Sequence, residues 1–461
     1  MQSNLNLRAR RDRIARAWGL ARGAVIVPSG LHVPVQGTDQ YHEFHAHPEF
    51  AYLAGAQLPG AVIAFDESDG WQIFAPQADL EDRVWVGDGT DHGELAQRTG
   101  LAVRPLADFQ PWLERRRAEP LAILGNHDVV HRAAGYGLRS WASLELDVDE
   151  TLAEQLSEQV SEARRAKDPG EIALMQGAAD ASRAGHLYAL RHARAGMSER
   201  QLQIEVEAEF FRAGAERTAY GSIVGTGSNG AVLHFSPTHR TMRGGEIVLM
   251  DAGAEFEGYA SDVTRTFPVG RRFEGAQRDL YQLVLDAQHS AISAARPGVE
   301  YRNLHMAACH QIAEGLAGLG ILKGAATELV ERDAHALFFP HGLGHMLGLS
   351  THDAGGCLAG RTPSDRFGLK WLRADLPLQP GYVVTIEPGI YFIKALIDDP
   401  ARREQFADCV DWAKVEALRG FGGIRIEDDI LIEESGSRVL TAAIPKTIPE
   451  IEALRAEALD S

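Results

Sequence analysis

The chain has 461 residues, 45% of them hydrophobic and 24% charged, which suits a globular protein of two or three domains. Lys and Arg number 46 against 64 Asp and Glu, a formal charge of −18, and that surplus excludes nucleic acid or an anionic membrane surface as the main partner. The cysteines, Cys309, Cys357 and Cys409, are three, odd in number and far apart, which excludes a disulfide framework and points to a reducing, cytoplasmic setting.

Residues 8–20 read as a short amphipathic helix, rich in arginine and without the apolar core of a secretory signal. Apolar runs follow at Gly23–Pro28, Gly60–Phe65, Val84–Val86 and Leu121–Gly125, each read as a short strand. Strands alternating with helical segments predict a small N-terminal α/β domain over residues 1–160. Asp149–Ala166 is charged with helical spacing, Lys167–Gly170 breaks it, and a new helix starts at Glu171. Residues 161–461 then carry helices at Ser198–Ala213, Ala276–Ala295 and Tyr301–Leu319. Strand-rich stretches lie at Ile247–Phe267, Tyr382–Phe392 and Gly423–Glu433, so the class is α+β. No apolar run approaches the ~18 residues of a membrane span.

Four segments concentrate carboxylates and imidazoles. In EIVLMDAGAEFEGYASDVTRTF, a hairpin turning at Phe256-Glu257 sets Asp251 opposite Asp262 on one face. Like charges so placed repel, and an inner face tolerates them only with a cation or a shared proton. PHGLGHMLGLSTHD holds His341, His345 and His352 in an apolar setting, where neutral imidazole serves as metal ligand or hydrogen-bond donor. VVTIEPGIY and GGIRIEDDI each end a β-branched run on a glutamate, Glu387 and Glu427. Arg425 lies two residues before Glu427, on the same strand face, where it can orient a carboxylate. Four carboxylates and one imidazole suit Mn²⁺, Co²⁺ or Zn²⁺, and a pair of divalent ions balances the four charges. Such a pair supports hydrolysis of an amide or ester.

The order DAG, SDVTRTF, HGLGHMLGLSTHD, TIEPGIYF, GIRIEDD resembles the pita-bread metallopeptidases, the prolidases (Xaa-Pro dipeptidases) and aminopeptidase P, over about Ala166 to Leu440. The resemblance implies a curved antiparallel sheet covered by helices, with a smaller N-terminal domain. It implies a dinuclear, usually manganese, centre in which Asp251 chelates one ion, Asp262 and Glu427 bridge, His345 binds the other, and Glu387 is a ligand beside a bridging hydroxide. Glu387 would then shuttle the proton to the imide nitrogen, while His352 and His341 steady the carbonyl oxygen and the tetrahedral intermediate. His234 matches the family's other substrate histidine. Tyr220 sits in a segment similar to its substrate wall, a packed aromatic being the alternative.

The long stretch Lys394–Leu418 between Glu387 and Glu427 looks like a prolidase. So does Arg373, which would pair with the free carboxylate of a C-terminal proline. The expected activity is therefore cleavage of Xaa-Pro dipeptides by a cytoplasmic homodimer. The alternatives are an Xaa-Pro aminopeptidase acting on longer peptides and a non-enzymatic binding protein of the same fold. His42, His45 and His47 have no place in the pattern and read as structural or interface residues. Gly225–Gly230 matches G-x-G-x-x-G, but AVLHFSPTHR after it reads as strand and loop, so a dinucleotide site is rejected.

Overall fold

A computed structural model describes residues 5–125 and 147–460. The chain divides into two compact units, Met1–Arg164 and Arg165–Ser461, at the end of the helix Glu150–Arg165.

The first unit opens with helix Leu7–Trp18. Its five strands are β1 (Ala24–Pro28), β2 (Val62–Asp66), β3 (Gly70–Ala75), β4 (Ala102–Pro105) and β5 (Leu121–Ile123). They form one mixed sheet in the order β4-β3-β2-β1-β5, with β1–β5 and β3–β4 parallel. β1 and β2 are buried along their whole length, which explains their continuous apolar runs. Phe74, Phe109 and Trp112 fill the core beside them. Val84–Val86 is not a strand. Leu80–Trp85 is a helix started by a capping box between Asp79 and Asp82. Two reciprocal caps outweigh the β preference of three residues.

In the second unit Asp168 caps helix Pro169–His192, with Glu171 closing the capping box. The break read at Lys167–Gly170 is thus a helix start, with Pro169 in its first turn. The strands are β6 (Arg217–Thr218), β7 (Ile223–Thr226), β8 (Ile247–Asp251), β9 (Ala254–Phe256), β10 (Tyr259–Ala260), β11 (Thr264–Pro268), β12 (Val383–Ile386), β13 (Gly389–Tyr391), β14 (Gly423–Arg425), β15 (Asp428–Glu433) and β16 (Gly436–Val439). All their pairings are antiparallel. Helix Ala276–Ala294 packs on β12, β13, β14 and β16, and helix Tyr301–Gly318 packs on it. After β7 comes a short 3-10 turn, Gly227–Ala231, so no helix opens at the glycine motif. Lys394–Leu418 folds into three short helices. Among the described residues no helix is long and apolar enough to cross a membrane.

Two long hairpins are interrupted at their centres. In the first, β8 and β11 pair Asp251 with Thr264, and β9 and β10 pair Phe256 with Tyr259. Both pairs sum to 515, so Asp262 lies opposite Gly253, and Asp251 is one diagonal away. The expected register was two residues off, because the turn is Glu257-Gly258. Both residues have positive φ, 46° and 84°, as a two-residue hairpin turn with right-handed strand twist requires. The face on which each side chain stands was nevertheless read correctly, since the pleat has a period of two.

The second hairpin shares one register across its break: Ile386 faces Asp428 and Gly389 faces Arg425, both summing to 814. Continued through the gap, that register sets Glu387 opposite Glu427, since 387 + 427 = 814.

Candidate metal centre

Broken ladders leave backbone groups that need partners. At the first break the helix Pro169–His192 supplies them. His186 Nε2 donates to Ala252 O at 2.8 Å, and the Ala254 N–H donates to Ser182 Oγ at 2.9 Å. Burial pushes His186 down to about 3, so the ring is a neutral structural donor. At the second break the segment Leu343–Leu347 lies along β12. Leu347 N–H donates to Val383 O, Thr385 N–H to His345 O and Glu387 N–H to Leu343 O, at 3.0, 2.9 and 2.8 Å. Gly344 permits that approach, because a Cβ there would stand 2.3 Å from Thr385 O and 2.5 Å from the Tyr301 hydroxyl. His345 is thereby set beside Glu387.

These breaks converge. Ligand atoms of Asp262, His345 and Glu427 lie within 4.8 Å of one another, and all three residues are buried. His345 Nε2 is 3.4 Å from Asp262 Oδ2 and 3.7 Å from Glu387 Oε1. The other ring nitrogen, Nδ1, donates to Met346 O at 3.0 Å, which fixes the ring's orientation and leaves Nε2 facing the carboxylates. Asp262 Oδ1 is buried with no hydrogen-bond partner, and Glu427 Oε2 accepts from Thr264 Oγ1 at 2.7 Å.

Burial would lower His345, but the Asp262 carboxylate and the charge of Glu387 hold it at about 9. Burial raises Glu387 to about 7, with Asp262 and Asp251 adding to the effect against His345 and Arg425. Glu427 is pushed well above the carboxylate range by burial and by its three acidic neighbours. This excess of desolvated negative charge, an orphaned carboxylate oxygen and an imidazole whose Nε2 is aimed at the carboxylates fit divalent cations, which would take the place of the proton on that nitrogen.

Arg425 organises the rim. Its Nη2 donates to Asp251 Oδ2 at 2.5 Å, Nε to Thr264 Oγ1 at 3.0 Å and Nη1 to the Tyr391 hydroxyl at 2.8 Å. The Tyr391 hydroxyl in turn meets His341 Nε2 at 2.8 Å, and His341 Nδ1 bonds Gly342 O at 2.8 Å. Both nitrogens of His341 are therefore engaged within the protein. Burial pushes this ring down to about 3, and its Nδ1 is 3.7 Å from Glu387 Oε2. Tyr220 donates to Asp251 Oδ1 at 2.5 Å, so it is more than a packed aromatic.

Beside the cage lies a cavity of about 410 Å³ lined by Tyr220, His234, Asp251, Asp262 and His352, among others. His352 is exposed and packs edge-on against His345, with ring centroids 4.4 Å apart. Burial of its inner part and the charges of His345 and Arg373 push it to about 4, so it is neutral at pH 7. Arg373 is exposed and is close enough to His352 to act on its charge. His42 and His45 are exposed in the N-terminal unit, and His47 precedes helix Pro48–Ala54 there.

Several residues that hold the cage were not singled out in the sequence. Asp429 accepts from Ser261 Oγ at 2.7 Å and from the Asp262 N–H at 3.1 Å, fixing the backbone that carries Asp262. Asp428, fully buried, receives Arg265, Thr441, Gln288 and Lys446. Arg265 also donates to Glu427 O at 2.6 Å, so the ion pair braces the glutamate from behind. The polar run Glu427-Asp428-Asp429 in an otherwise apolar strand was the available signal.

Residues 173–434 match metallopeptidase family M24, and residues 7–121 match the aminopeptidase P N-terminal domain. The chain is 34% identical to the Xaa-Pro aminopeptidase of Escherichia coli (strain K12) over 436 residues, 91% of this chain and 90% of that one. It is 35% identical to a probable Xaa-Pro aminopeptidase of Botryotinia fuckeliana over 94% of this chain and 92% of the relative. Among solved structures, Pseudomonas aeruginosa aminopeptidase PepP superposes with a TM-score of 0.80 at 29% identity, covering both chains fully. Aminopeptidase P from E. coli with the inhibitor Pro-Leu also gives 0.80, at 30% identity and full coverage of both chains.

Proposed function

The chain belongs to metallopeptidase family M24, in its pita-bread architecture with an aminopeptidase P N-terminal domain, and on that premise we propose that it is an Xaa-Pro aminopeptidase. It releases the first residue of a peptide whose second residue is proline. The observation that carries this reading is the near-full-length likeness, over both domains, to Xaa-Pro aminopeptidases, joined to a buried carboxylate–imidazole cage that suits divalent cations. It replaces dipeptide cleavage as the leading reading, since the relatives named above are aminopeptidases.

Asp251, Asp262, His345, Glu387 and Glu427 would hold two divalent ions, Mn²⁺ first, with Co²⁺ or Zn²⁺ as alternatives. Bound ions of this kind acidify water and polarise a carbonyl. Glu387 takes the proton of the attacking water and passes it to the proline nitrogen, which leaves only once protonated. His352 and His234 donate to the developing oxyanion from the cavity wall. His341 acts through Tyr391 and Arg425, keeping Asp251 aligned. Arg425 and Tyr220 hold the two sides of the Asp251 carboxylate.

A dipeptidase remains the second reading, favoured by the exposed Arg373 near His352, an arginine with no ion-pair partner among the described residues, and by the Lys394–Leu418 insertion. The test is turnover of Ala-Pro-Ala against Ala-Pro by protein of known metal content. Preference for the tripeptide is expected; preference for the dipeptide, lost in Arg373→Ala, overturns the aminopeptidase. No Mn²⁺-dependent turnover of either would leave the non-enzymatic binding protein. A homodimer in the cytoplasm completes the proposal. It is supported by free cysteines and by exposed Leu80, Val84 and Trp85 along one short helix. Light scattering of the purified protein reads the assembly, and a monomer would remove it.

A further inference from the structure

The cavity beside the cage has a second charged group on its wall. Asp251 and Asp262 are its buried acidic members, and the exposed Arg200 belongs to its rim. Arg200 Nη1 donates to Gln203 Oε1 at 2.7 Å, and Gln203 Nε2 donates to Glu207 Oε1 at 2.8 Å. The backbone is pinned as well, since Arg200 N–H donates to Thr238 O at 2.9 Å. The guanidinium is thus oriented by a neutral amide, and among the described residues it has no carboxylate partner. Ser222 lies on the same wall, buried, and its hydroxyl has no hydrogen-bond partner. Ile223, Phe235 and Pro237 are the apolar part of the lining.

We propose that Arg200 is a specificity-determining residue that binds a carboxylate of the peptide substrate. The proposal rests on the Xaa-Pro aminopeptidase reading and names the substrate class that reading leaves open. An exposed guanidinium that faces a cavity without a carboxylate partner among the described residues is open to a carboxylate, which it holds with two parallel hydrogen bonds. Gln203 occupies one donor and sets the plane of the fork, leaving the others for the ligand. Two parts of a short peptide carry such a carboxylate: an acidic side chain on the first residue, and the free C-terminus.

Four peptides separate them: Glu-Pro-Ala, Gln-Pro-Ala, Ala-Pro-Ala and Ala-Pro-Ala amide, each assayed with Mn²⁺-loaded wild type, Arg200→Gln and Arg200→Lys. Within each variant the readouts are the Glu/Gln ratio and the acid/amide ratio of kcat/KM. A charge-assisted pair predicts a ratio of about tenfold or more in the wild type. Arg200→Gln is expected to collapse it to near unity through KM, with part recovered in Arg200→Lys. Collapse of the Glu/Gln ratio identifies the first side chain, and collapse of the acid/amide ratio identifies the C-terminus. If neither ratio differs between wild type and Arg200→Gln, the proposal is overturned. Calorimetric affinities of the same peptides in the Glu387→Gln background read the same ratios without turnover. A wild type that cleaves none of the peptides but shows the ratios in binding would sink the aminopeptidase reading and leave Arg200 as a carboxylate reader.

Discussion

Glu387 and Glu427 face each other across a gap in their ladder, close to Asp262 and Asp251. A chain gains nothing from such a juxtaposition unless cations or protons offset it. Glu387→Gln keeps the volume and removes the proton acceptor. Its kcat is expected to fall by about 10²–10⁴, with peptide affinity much less affected; an unchanged kcat would remove the shuttle role. Arg425→Lys probes positioning. A lysine has no planar fork with which to reach Asp251, Thr264 and Tyr391 together. Mn²⁺ affinity measured by calorimetry should fall about 10- to 100-fold, and a wild-type value would confine Arg425 to packing. The carboxylates were visible in the sequence because glutamate and aspartate inside β-branched runs violate hydrophobic patterning. Asp428, Asp429 and Arg265 violate it equally, yet serve as braces. Residue type alone does not separate a ligand from the group that holds it.

At the scale of elements, the first hairpin was legible from its strands and turn residues, but its register was not, and the pairing of β12 with β15 and of β13 with β14 was not legible at all. The sequence EFEG offers two adjacent turns, and the structure takes Glu257-Gly258 because glycine accepts φ of 84° without strain. The interruption at Gly253 is equally specific. An added Cβ would lie 1.8 Å from Ser261 O, with backbone and not a flexible side chain in the way. Gly253→Ala should therefore cost at least about 1–3 kcal/mol and separate Asp251 from Asp262. Urea denaturation and Mn²⁺ titration check the two consequences, and wild-type values in both would refute the close approach. Val84–Val86 shows the opposite failure, in which short-range caps outvoted local β propensity.

Across the whole molecule, buried neutral histidines make stability depend on pH. Burial pushes His186 to about 3, His305 to about 4 and His335 to about 3. Below their unfolded value, near 6.5, the unfolded chain takes up protons that the folded chain refuses. Stability is then fully present above that value and falls as pH drops toward 4, by up to about 1.4 kcal/mol per unit for each ring. Urea midpoints of the metal-loaded protein, in which bound cations would keep Glu387 and Glu427 ionised, are expected to decline steadily from pH 7 to pH 5, and a flat profile would contradict the burial of these rings. Removing metal with a chelator should lower Tm by about 5–10 °C, since a ligand held only by the folded state stabilises by mass action. No shift would mean that the cage is stable without a cation.

By itself the sequence determined the residue types, their order, and which face of each strand they occupy, because patterning and turn chemistry act over a few residues. That is why the candidate carboxylates and imidazoles, the α+β class and the family resemblance could all be read from it. Only the tertiary structure decided that Glu387 opposes Glu427, that His341 is committed to Tyr391, and that Arg200, with no carboxylate partner among the described residues, borders the same cavity as Asp262. Those relations join segments tens to hundreds of residues apart. They are fixed by the packing of helices on broken ladders, for which no local stretch of sequence carries the information.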